Sequence, residues 1–152
     1  MRTIFLVMII SLISLCSIPP HADAHCEIPC GIYGDEARID MLNEHITTIE
    51  KSMKEIIRLE GEEGHNANQL TRWIMNKEDH ANKFQEIVTQ YFMTQRINAG
   101  DDEYEKKLTF LHQMLVGAMK CKQTTDLEHV KTLRSLVKEF SSLYFEKKIE
   151  KE

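Results

Sequence analysis

From residue 39 onwards, apolar positions return every three or four residues along the chain. The first run holds Ile39, Leu42, Ile46, Ile49, Met53, Ile56 and Ile57, and Gly61 and Gly64 end it. This spacing follows the 3.6-residue period of an amphipathic helix. A second predicted helix, from about Ala67 to Arg96, carries Leu70, Trp73, Ile74, Phe84, Ile87, Val88, Tyr91 and Phe92. Asn98-Ala99-Gly100-Asp101 reads as a turn. A third helix, from about Asp102 to Lys122, carries Tyr104, Leu108, Leu111, Met114, Leu115, Ala118 and Met119. The fourth opens on Thr125-Asp126-Leu127-Glu128, a capping-box signature, and continues through Val130, Leu133, Leu136, Val137, Phe140 and Tyr144. No proline follows Pro29, so nothing interrupts these helices. The pattern predicts an all-α fold, an antiparallel four-helix bundle. The charged end, from Glu146 to Glu152, reads as a solvated helix terminus.

The amino terminus breaks this pattern. Met1-Arg2 is basic, and Ile4 to Cys16 is apolar apart from Ser11 and Ser14. The run is too short to span a bilayer but suits the apolar region of an export signal. Pro19-Pro20 follows, and Ala22-Asp23-Ala24 supplies an A-x-A cleavage site. Residues 1–24 are expected to be removed by a leader-processing peptidase. Residues 25–152 then form one domain that begins at His25, with no membrane attachment. The expected location is periplasmic or extracellular, or cytoplasmic if the leader is only a propeptide.

Charge narrows the range of partners. The formal net charge is −5, and cleavage leaves it unchanged because the leader carries one basic and one acidic residue. A nucleic-acid-binding domain would show a basic stripe, so no nucleic-acid partner is expected. The same net charge repels small anions, so attraction of an anion must come from local lysines and arginines. Cleavage leaves Cys26, Cys30 and Cys121, an odd number that cannot form a fully paired disulfide framework.

The stretch His25-Cys26-Glu27-Ile28-Pro29-Cys30-Gly31-Ile32-Tyr33 concentrates reactive groups at the new terminus. A free α-amine has a pKa near ~8 and becomes a metal ligand at modest cost. Cys26 offers a thiolate, and its backbone amide nitrogen lies between that sulfur and the amine. Cys30 returns a second thiolate, and Pro29 and Gly31 permit the chain reversal this needs. Two nitrogens and two sulfurs in a plane, with the His25 imidazole above it, suit Ni(II) or Cu(II) better than tetrahedral Zn(II).

This stretch, a hook over residues 25–33, resembles the nickel hook of nickel-containing superoxide dismutases. Ala37-Arg38-Ile39-Asp40 and Gln90-Tyr91-Phe92 are also similar to that family. The resemblance implies a four-helix bundle assembled as a homohexamer, with a nickel ion as cofactor and superoxide as substrate. It makes His25, Cys26 and Cys30 the metal ligands: His25 through amine and imidazole, Cys26 through amide nitrogen and thiolate, Cys30 through thiolate. Tyr33 matches a tyrosine bordering the substrate pocket. Asp40 stands where better-known members have a glutamate that holds the imidazole, and the Tyr33–Asp40 segment is one residue shorter than theirs. The family's arginine near the metal has no clear match, with Arg72 and Lys77 as candidates. Many members carry a short leader cut by a dedicated peptidase, whereas this one resembles a general export signal.

Two other readings stand beside the enzyme. One is a non-catalytic nickel- or copper-binding protein using the same hook, and Tyr33, which such a protein would not need, argues for the enzyme. The other is a structural exported bundle with a Cys26–Cys30 disulfide. A di-iron bundle would need two Glu-x-x-His motifs on helices, and only Glu62-Glu63-Gly64-His65 fits, in a glycine-rich connection. His45, His65, His80, His112 and His129 are scattered, with no pair at i, i+4. Cys121 is expected to be a buried, inert thiol.

Overall fold

The computed structural model describes residues 34–64 and 66–149. Helix α1 spans Gly34–Glu60 and α2 spans Ala67–Glu86, which runs on as a π-helical segment, Ile87–Arg96. Helix α3 spans Tyr104–Gln123 and α4 spans Leu127–Ile149. Each helix packs against its chain neighbours and α4 closes the ring on α1, so the predicted all-α four-helix bundle is the observed one.

The helix ends have local causes. Gly34 has φ +78°, a left-handed conformation that a side chain would strain, at the entry to α1. Asn66 caps α2 by accepting the Gln69 amide at 3.1 Å. At α4 the predicted cap is displaced by one residue: the Asp126 carboxylate accepts the Glu128 amide at 2.9 Å. Thr124 Oγ1 in turn accepts the Asp126 amide at 3.2 Å, which fixes the approach to that cap.

The core is the stripe pattern made solid. Leu42, Ile46, Ile49 and Met53 from α1 meet Ala81, Phe84, Val88 and Phe92 from the second helix. Leu111, Met114, Ala118 and Cys121 from α3 and Val130, Leu133, Val137 and Phe140 from α4 complete it. Gly117 brings α3 close to α4, since a Cβ there would lie 3.1 Å from Leu133 Cδ1. Burial pushes the Cys121 thiol up to about 11, so at neutral pH it is protonated and unreactive.

Three predicted core positions face outward: Ile57, Ile74 and Met119. For Ile57 and Ile74 the cause is bundle length. The first ten residues of α2 include no buried side chain, and the first that is buried is Lys77. Its ammonium donates to the Lys122 carbonyl at 2.5 Å and the Thr124 carbonyl at 3.4 Å, closing the open end of α3. Beyond that level α2 has only α1 to pack against, so a second apolar face finds no cover. Among the described residues no helix is long and apolar enough to cross a membrane.

Phe84 is fully buried at the centre of the core. Phe84→Ala should lower unfolding free energy by about 3–5 kcal/mol, read from denaturant unfolding followed by circular dichroism. A loss below 1 kcal/mol would contradict a tightly packed centre.

Candidate functional site

Antiparallel connection places the start of α1, the end of the π segment, the start of α3 and the end of α4 at one pole. Gly34 directly follows Tyr33, so the hook sequence joins the bundle here. His25, Cys26, Cys30 and Tyr33 lie outside the described residues. What the structure shows is the platform to which they are attached.

Asp35, in the first turn of α1, is buried. Its Oδ1 accepts hydrogen bonds from the Tyr91 hydroxyl at 2.6 Å and from Arg96 Nε at 2.9 Å. Its Oδ2 accepts the Tyr144 hydroxyl at 2.8 Å. Arg96 also donates through Nη2 to the Tyr91 hydroxyl at 3.1 Å. An isolated buried carboxylate would be costly, and these donors and the paired guanidinium offset that cost. The carboxylate thus joins α1, the π segment and α4 at one point.

The π segment makes this possible. In a π-helix each amide bonds to the carbonyl five residues back, so residues five apart stack as residues four apart do in an α-helix. Tyr91 and Arg96 are five apart, and both reach Asp35. An α-helix would turn them about 140° from each other. The Ile97 amide bonds to the Phe92 carbonyl at 3.1 Å, Thr94 Oγ1 to the Thr89 carbonyl at 2.8 Å and Gln95 Nε2 to the Gln90 carbonyl at 2.9 Å. All three follow the same five-residue step.

Aromatic and cationic groups surround the carboxylate. The Arg96 and Arg38 guanidinium carbons lie 4.6 and 4.9 Å from the Tyr91 ring centre, a double cation–π arrangement. Tyr144 stacks on Phe140 and meets Phe92 and Phe145 edge-on. Burial and the hydrogen bond to Asp35 push both phenols above their ordinary range, Tyr144 further than Tyr91. Burial lowers the Arg96 value, but its bonds to Tyr91 and Asp35 outweigh that and raise it. Tyrosines that hold their protons this firmly are poor acids at neutral pH. The cluster is an anchor.

Asp40 lies one and a half turns further along α1, and its side chain is exposed. It makes no hydrogen bond among the described residues. Arg72 is exposed beside Trp73, and Lys77 is committed to the α3 carbonyls, so neither joins this pole. Of these residues, Tyr91 was legible in the sequence as a family match, whereas the convergence of Asp35, Arg96 and Tyr144 was not. An acidic residue directly after the glycine that follows the hook was the available signal. The two partners were not findable, because their convergence depends on the π register and on α4.

Among the described residues no group of three or more histidines, cysteines or carboxylates could hold a metal. Fold and pole together define a helical bundle that anchors its amino-terminal extension and builds no three-ligand metal centre within its described helices. The family model for nickel-containing superoxide dismutase matches residues 20–148, a span that takes in the hook sequence and all but the last residue of α4. The chain belongs to that family: it is an oxidoreductase acting on superoxide, with nickel as its cofactor. No curated protein and no solved structure matches it.

Tyr144→Phe removes one charge-assisted bond and should cost about 1–2 kcal/mol of unfolding free energy. Asp35→Asn also leaves Arg96 without its counter-charge and should cost about 2–4 kcal/mol. Asp40→Asn, on the exposed face, should change stability by less than about 0.5 kcal/mol. Equal effects of Asp35→Asn and Asp40→Asn in urea unfolding would disprove the anchoring role.

Proposed function

We propose that the enzyme dismutates superoxide at nickel held by the mature amino terminus, residues 25–33. The observation that carries this reading is the sequence His25-Cys26-x-x-Pro29-Cys30-Gly31-x-Tyr33, placed directly after an A-x-A site in a chain of this family. The donor chemistry supports it. The described helices offer one cysteine, Cys121, buried and protonated, so thiolate ligands for nickel are available at Cys26 and Cys30 alone once the leader is gone.

In this reading the His25 amine and imidazole, the Cys26 amide nitrogen and thiolate, and the Cys30 thiolate hold the metal. Nickel bound by such anionic sulfur and amidate donors supplies one-electron cycling between its divalent and trivalent states. The overall reaction is 2 O₂⁻ + 2 H⁺ → O₂ + H₂O₂. Tyr33 borders the substrate, and the exposed Asp40 carboxylate holds the His25 imidazole in place. The Asp35 anchor fixes the point from which the hook departs. Arg38, half-buried beside Tyr91 and in no ion pair among the described residues, supplies local positive charge for an anionic substrate in a chain of net charge −5.

The same reading includes removal of residues 1–24, export, and assembly as a homohexamer. Exposed Ile57, Ile74, Met75 and Met119 support burial of further apolar surface against other copies.

Intact-mass measurement should find a mature chain beginning at His25. One extra residue retained before it converts the amine to an amide, and that chain should fold but lose nickel-dependent activity. Cys26→Ser with Cys30→Ser should keep wild-type helical circular dichroism and bind no nickel at the hook; collapse of the helical signal would favour a structural disulfide instead.

His25→Ala retains the amine and deletes only the imidazole. It should still bind nickel while losing most dismutation and the paramagnetic resonance of trivalent nickel. Unchanged dismutation in pulse radiolysis would overturn the role given to the ring, and nickel binding by the parent without dismutation would favour a scavenger.

A further inference from the structure

His45 on α1 and His80 on α2 are 35 residues apart in sequence, yet their Nδ1 atoms lie 3.0 Å from each other across the helix interface. The ring centres are 5.1 Å apart and the planes cross at 70°. His45 is buried and His80 half-buried. Neither has a part in the hook. Both imidazoles are held below their ordinary value of 6.5, first by burial, then His45 by His80 and His80 by Lys83. At neutral pH both rings are therefore uncharged and able to act as ligands.

We propose that His45 and His80 form a second metal site, which takes a divalent late transition ion, Ni(II) or Cu(II), through their two Nδ1 atoms. Imidazole nitrogens sit about 2.0–2.1 Å from such ions, so donors at this spacing subtend about 91–97° at a shared ion once both rings turn their lone pairs toward it. That is the cis angle of a square-planar or octahedral ion. A tetrahedral ion prefers about 109°, so the spacing suits Ni(II) or Cu(II) better than Zn(II). Without metal, one ring donates its Nδ1–H to the lone pair of the other. Binding requires the donor ring to carry its proton on Nε2 instead, a change of tautomer that leaves both rings neutral and releases no proton.

Charges of both signs surround the pair. The Glu44 and Asp79 carboxylates act on the pair from α1 and α2, opposed by the Lys83 ammonium. His80 opens the site to solvent. No third histidine, cysteine or carboxylate completes it among the described residues, so water fills the remaining positions and the bound ion exchanges readily. Protons compete for both rings once the pH falls well below 6.5, and affinity falls with them.

The test removes the hook and keeps the chain. In His25→Ala/Cys26→Ser/Cys30→Ser protein at pH 7.5, calorimetric titration with Ni(II), and separately with Cu(II), should show one equivalent bound. Adding His45→Gln or His80→Gln should weaken that equivalent at least 100-fold. Absence of the equivalent in the hook-free protein, or its survival in either glutamine variant, would overturn the proposal and show the pair to be a hydrogen-bonded brace between helices. Should a glutamine variant lose helicity, Cu(II) broadening of imidazole resonances in the hook-free protein decides instead. Selective broadening at His45 and His80 supports the site; broadening shared equally with His112 and His129, or none at all, refutes it. Because the hook is absent throughout, neither outcome bears on dismutation.

Discussion

A carboxylate without water around it must find charge and hydrogen bonds elsewhere, and at Asp35 the need is met by three parts of the chain at once. The Arg96 guanidinium supplies the opposite charge, while Tyr91 and Tyr144 donate the remaining bonds. These partners lie 56, 61 and 109 residues away in sequence, so the first turn of α1 forms with its native contacts only when the rest of the bundle is in place. The π segment is the geometric condition, since it brings Tyr91 and Arg96 to the same side of one helix. Gly34, in a left-handed conformation, sits between this fixed point and the residues before it.

This arrangement separates stability from chemistry. Among the described residues the bundle holds its reactive groups in inert forms: Cys121 as a buried thiol, Tyr91 and Tyr144 as phenols that keep their protons. Stability comes from apolar packing and from satisfied polar groups such as Lys77, which closes the end of α3. In the proposed reading, the chemistry of a nickel-containing superoxide dismutase is left to the residues that precede this fixed point. A small redox enzyme built this way can vary its bundle interior without disturbing the ligands.

The histidines show how far spacing arguments reach. Among His45, His65, His80, His112 and His129 no two stand at i, i+4, and on that ground the helices offered no histidine pair. Helix pairing nonetheless brings His45 and His80 together, because α1 and α2 run antiparallel and their facing positions sum to a constant in sequence number. Residues that meet in this way carry no local signature. The same holds for Arg96 and Tyr144, which read respectively as a helix-end cation and as one more apolar-stripe residue.

The four helices, their order and nearly all of their buried faces were legible in the chain, because a 3.6-residue apolar period is a local property that each helix states for itself. The proposed hook is likewise read from the chain alone, since its candidate ligands are contiguous and depend on no distant residue. The outward facing of Ile57 and Ile74 came from packing alone, because burial depends on whether a neighbouring helix reaches that level. The π register, and with it the Asp35 anchor and the His45–His80 contact, was also settled there. Each is a meeting of residues far apart in the chain, and the free energy that makes such a meeting worthwhile exists only once the helices are packed.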